Sequence, residues 1–170
     1  MSDRMATTID FGPVTKAQAD YLMDGGGRLL PASNLTAVRA ELIETSPEEV
    51  SWDPATGLVT VYDPEATWGS SQFEELRNLL RLAGIGYTLR QEPKYEYPGE
   101  LIEWRPGMEA EHSTACDADG NAYVLGHELR EWLDKIDPPS VATSAEMWAW
   151  LDETLGWSIP LLVSEKEVPV

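Results

Sequence analysis

The chain has 170 residues, enough for one domain with a sizeable core. Hydrophobic residues at 42% and charged residues at 25% place it among folded globular chains. Thirty acids against twelve bases leave a formal charge of −18, a field that repels nucleic acid, anionic lipid and acidic substrates and draws basic surfaces.

A single cysteine excludes an internal disulfide framework. No apolar run reaches the ~18–20 residues of a membrane helix, and the first residues lack the apolar core of a signal peptide. The expected setting is therefore cytoplasmic and soluble. More than half of the excess charge falls late in the chain, where residues 101–170 hold fourteen acids and four bases.

Residues 1–13 are expected to be a loose leader, followed by a single domain over 14–163 and a tail over 164–170. Thr15 and Gln18 have the spacing of a capping box, which predicts a short helix to about Met23. Gly25-Gly26-Gly27 should end it, because three glycines make continuation costly. No P-loop lysine accompanies that triplet, so it does not read as a phosphate cradle. Pro31 and Ser33 open a second helix with Leu35, Val38 and Leu42 on one face, stopped before Ser46-Pro47.

Val50 to Tyr62 reads as a hairpin around Asp53-Pro54-Ala55-Thr56-Gly57. Ser71 and Glu74 form a second capping box, ahead of the stripe Phe73, Leu76, Leu79, Leu80 and Ala83. Tyr87–Arg90 and Leu101–Arg105 are predicted strands. A helix should run from Gly126 or His127 to about Ile136, with Leu129, Trp132, Leu133 and Ile136 on one side. Thr143 and Glu146 form a third capping box before a helix with Met147, Trp150, Leu151 and Leu155. The mixed order of about five helices and short strands, without β-α-β alternation, predicts an α+β domain with a small, mainly antiparallel sheet.

The stretch Asp117-Ala-Asp-Gly-Asn121 is ambiguous. Asp117 to Glu128 resembles the twelve-residue calcium loop of EF-hand proteins. The resemblance would make Asp117, Asp119, Asn121, the Tyr123 carbonyl and Glu128 the metal ligands. Ala122 stands where that loop needs glycine to bend, and Leu125 offers no side-chain oxygen at the ninth position. The competing reading is a hairpin turn between Ser113–Cys116 and Ala122–Leu125. It is favoured, so neither a metal nor any other cofactor is expected.

Cys116 and His112 could form a thiol and its base, but four positions apart on a strand they share a side without touching. One cysteine and two histidines make a poor zinc set. No complete catalytic motif is present, which favours a binding protein over an enzyme; the alternatives are a calcium-binding module using the EF-hand-like loop at 117–128 and a small enzyme with no recognisable motif. The expected partner is a basic protein surface, such as that of a nucleic-acid-binding protein, with the acids imitating rows of phosphate. This likeness to DNA-mimic inhibitors is one of composition. The residues expected to carry the contact are Glu103, Glu109, Glu111, Glu128, Glu131, Asp134 and an exposed Trp148.

Overall fold

The computed structural model describes residues 5–25, 33–66, 73–94, 97–135, 144–160 and 162. Among them lie five helices and one six-stranded, wholly antiparallel sheet, an α+β fold. The helices are α1 (Lys16–Asp24), α2 (Ser33–Thr45), α3 (Glu74–Leu82), α4 (Gly126–Lys135) and α5 (Ser144–Leu155). The strands are β1 (Thr7–Phe11), β2 (Glu49–Trp52), β3 (Val59–Asp63), β4 (Tyr87–Gln91), β5 (Gly99–Trp104) and β6 (His112–Cys116). They lie in the order β2-β3-β1-β4-β5-β6.

The period of two along each strand divides the sheet into two chemically different faces. Ile9 sits across from Val61 on one side and Leu89 on the other, and Leu89 from Ile102. Phe11 aligns in the same way with Val59, Tyr87 and Trp104. These residues form one apolar face, closed over by Ala19 and Leu22 of α1, Leu35, Val38 and Leu42 of α2, and Leu76 and Leu80 of α3. Truncating one of the fully buried leucines, such as Leu80, should cost about 2–5 kcal/mol. The opposite face carries Thr8, Asp10, Thr60, Thr88, Arg90, Glu103 and His112.

Local signals explain most of the element ends. Thr15 and Gln18 cap α1 reciprocally, and Gly25 closes it at φ 68. The predicted stripe of α2 is buried as expected. In the β2–β3 hairpin Asp53 accepts from the Ala55 N–H at 2.9 Å and the Thr56 hydroxyl at 2.7 Å, and Gly57 takes φ 72. Gly99 is needed for a different reason: a Cβ there would lie 2.7 Å from the Gln91 carbonyl oxygen and 2.9 Å from that of Cys116.

One expectation is overturned. Residues 7–11 are not leader; they form β1, an interior strand of the sheet. Thr7, Ile9 and Phe11 alternate with half-exposed Thr8 and Asp10, a period-two pattern that five residues carry only weakly. The apolar stripe of α4 is not turned into the core, since no residue of that helix is buried. The core is already completed by α1–α3, and α4 follows the edge strand β6, beyond their reach.

The capping positions Ser71 and Thr143 lie outside the described residues, as do Pro31, Gly26, Gly27, Ile136 to Pro139 and 164–170. Phe73 stands at the start of α3 without a side-chain capping bond. None of the helices found is long and apolar enough to cross a membrane.

Candidate binding surface

The polar face of the sheet is covered at its β4–β6 end by the chain from α5 onward. His112 Nε2 meets the Glu153 carbonyl at 2.8 Å, which calls for the tautomer protonated at Nε2. A Cβ on Gly156 would lie 2.8 Å from the His112 ring, so only glycine lets the turn after α5 settle there. Arg105, 7% exposed, finishes the attachment. Its guanidinium donates to Pro160 O at 2.7 Å, Tyr87 O at 2.5 Å, Trp104 O at 3.0 Å and the Thr88 hydroxyl at 3.0 Å. It also pairs with Glu103 at 2.8 Å. A buried arginine is tolerable only when its donors are met in this way.

Glu103 is thus an internal partner, with its side chain 16% exposed. Glu111 is likewise enclosed: it pairs with Arg77 of α3 at 2.8 Å and accepts from the Tyr87 hydroxyl. Burial pushes the Tyr87 phenol above its ordinary pKa, and the hydrogen bond to Glu111 and that carboxylate's charge add to the rise. Neither Arg77 nor Arg105 was singled out by the sequence reading as a member of a polar network. Arg77 meets Glu111 across 34 residues of chain and Arg105 meets Pro160 across 55, separations that local spacing cannot reveal, although Glu103 is only two residues from Arg105.

The other expected contact residues divide differently. Glu109, Glu131 and Asp134 are exposed. Glu128 is half-buried and accepts from the Leu125 N–H at 3.0 Å, capping the first turn of α4. Trp148 is 57% exposed, as expected, and lies 5.9 Å from the Trp157 ring. Trp132 of α4 stacks on Trp150 of α5 at 5.0 Å, joining the two helices. Leu129 and Leu133 remain 39% and 40% exposed. Their helical spacing is the same whether the face meets a core or a partner.

The 117–121 segment is a turn closed by its own hydrogen bonds. Asp117 Oδ1 accepts from the Asp119 N–H at 2.9 Å and the Asn121 N–H at 2.9 Å, and Asn121 Nδ2 donates to Oδ2 at 3.0 Å. The Asn121 side-chain bond, with these backbone N–H groups, holds the Asp117 carboxyl below the usual range. Beyond the turn the expected strand shrinks to one bridge, Ala122 against Cys116. With Asp117 engaged by its loop and Glu128 by Leu125, two of the five would-be calcium ligands already have partners. No group of three or more His, Cys, Asp or Glu among the described residues is placed to hold a metal ion.

Cys116 and His112 point to the same side of β6, two residue pairs apart. The thiol is buried, and that burial raises its pKa, the reverse of an activated nucleophile. Glu100 and Glu128 line one side of a hollow of about 410 Å³ beside the start of α4. There the Ser113 hydroxyl donates to Glu100 at 2.8 Å. No family model, curated protein or solved structure matches this chain.

Proposed function

We propose that this chain is a binding protein that docks a basic protein surface through its acidic C-terminal third. The observation that carries the reading is the pair Glu131 and Asp134, exposed on a helix with no buried side chain. Neither carboxylate is needed by the core, and an acid row on such a helix costs stability in isolation. A Lys/Arg-rich partner would turn that cost into attraction and speed the encounter. In the narrower form of the reading, the partner's basic groove otherwise holds nucleic acid, and the chain is a DNA-mimic inhibitor. Glu109 lies just ahead of that third and would add to the field; Glu103 and Glu111 serve the fold.

The test compares the wild-type chain with the Glu131→Lys/Asp134→Lys double variant, each immobilised and presented with cell extract. Basic proteins retained by the wild type should elute with rising salt and be lost from the variant. Duplex DNA should compete for them if the narrower form holds. Equal retention by the two chains would end the proposal; retention indifferent to DNA would end only the mimic.

A further inference from the structure

Among the described residues, α4 and α5 leave several large apolar side chains exposed. Leu129 and Leu133 lie one turn apart on α4, and Met147 and Trp148 stand 40% and 57% exposed on α5, with Trp157 at 55% just beyond it. The apolar arc of α5 is wide, running from Trp150 through Met147 and Leu151 to Trp148. Trp132 meets Trp150 at one margin and Trp157 meets Trp148 at the other, which leaves the middle of the arc open. Large exposed apolar side chains on two helices joined by a tryptophan stack point to an interaction site.

The charge of the same helices selects the occupant. α4 and α5 carry Glu128, Glu131, Asp134, Glu146, Asp152 and Glu153 against Arg130 and Lys135. A second copy of the chain would bring the same excess of acids and be repelled. A segment with apolar anchors and basic margins fits both features. Resting on the basic-partner reading above, we propose that the α4–α5 face seats an amphipathic helix with Lys or Arg along its flanks. Its anchors at i, i+3, i+4 and i+7 would pack on Leu129, Leu133, Met147 and Trp148.

The probe is a fluorescein-labelled Lys/Leu peptide of about 18 residues with leucines at that spacing, beside a scrambled isomer of identical composition. Anisotropy titration should give at least about tenfold tighter binding for the patterned peptide, as expected when buried anchors and not charge alone carry affinity. Leu129→Ser/Leu133→Ser and, separately, Trp148→Ser should reduce it to the level of the scrambled isomer. Circular dichroism and the thermal midpoint should hold, because none of these residues is in the core. Equal binding of the two isomers, or unchanged binding by both variants, overturns the proposal while leaving a charge-only partner standing. Unchanged binding of both isomers by Glu131→Lys/Asp134→Lys, or no binding of either isomer to the wild type, sinks the basic-partner reading itself. Self-association in sedimentation, abolished by Leu129→Ser/Leu133→Ser, would assign the face to a second copy instead.

Discussion

The Nε–H of Arg105 donates to the carbonyl of Pro160 at 2.7 Å, tying the end of β5 to the chain beyond α5. The same guanidinium reaches Tyr87, Trp104, Thr88 and Glu103, so five partners lose a donor if it is removed. Arg105→Ala should destabilise the fold by about 3–5 kcal/mol, the usual cost of stranding half of a buried pair. Arg105→Lys should recover only part, because an ammonium cannot serve the planar fork of acceptors. Urea melts measure the loss. Hydrogen exchange should show residues 153–160 opening before the sheet; simultaneous opening would contradict the clamp.

Tyr87 should titrate late. Its pKa is raised, so the folded state keeps the phenol proton where the unfolded chain releases it. The stabilisation is full below the unfolded value of ~10 and is lost as pH climbs through the higher folded value. In a spectrophotometric titration of the six tyrosines, one should ionise only with unfolding. Glu111→Gln, which removes the carboxylate charge, should lower the pKa of that phenol.

Asp53 and Asp117 have the opposite linkage. Hydrogen bonds, foremost from Thr56 and Asn121 respectively, lower their pKa values below 3.8. Their stabilisation is present above that value and is lost as pH falls through the folded-state values. Asp53→Asn and Asp117→Asn should each lower the urea midpoint at neutral pH and shrink the further loss between about pH 5 and pH 3. A variant that loses as much as the wild type over that range would remove its residue from the account.

Calcium should leave the thermal midpoint unchanged. Binding would have to pull Asp117 from the N–H groups of Asp119 and Asn121 and Glu128 from that of Leu125. A rise of several degrees in sub-millimolar calcium, abolished by Glu128→Gln, would show that the loop pays that cost.

Added salt should stabilise the chain. With a charge of −18, self-repulsion is felt over roughly 30 Å at 0.01 M salt and over about a third of that distance at 0.1 M. The thermal midpoint should rise between about 10 and 200 mM NaCl. A flat response would mean that pairs such as Arg77–Glu111 and Arg105–Glu103 already absorb the field.

The sequence was most readable where structure is local. Thr15 and Gln18 marked the start of α1, and Asp53 to Gly57 marked the hairpin, because a cap or turn is made by residues within a few positions. Leu35, Val38 and Leu42 revealed which side of α2 is buried. β1 was missed because Ile9 and Phe11 acquire meaning only beside Val61, Leu89 and Tyr87. At the candidate surface, Glu131, Asp134 and Trp148 were legible, while the spacing of Leu129 and Leu133 did not say what their side of α4 faces. Glu111 looked like free surface charge because Arg77 reaches it only through tertiary packing; Glu103 stands two residues from Arg105, but the chain packed over that pair is distant in sequence.

The place of β1 has a consequence for synthesis. Ribosomes deliver Thr7–Phe11 before any other strand of the sheet, yet its two neighbours are β3 and β4. Ile9 must wait for Val61 and then Leu89 before both of its edges are paired. Until Gln91 has left the ribosomal tunnel, β1 keeps at least one side unpaired and can recruit other nascent strands. Slow translation through residues 63–91 would lengthen that exposure, and an early chaperone contact over β1 would shorten its danger.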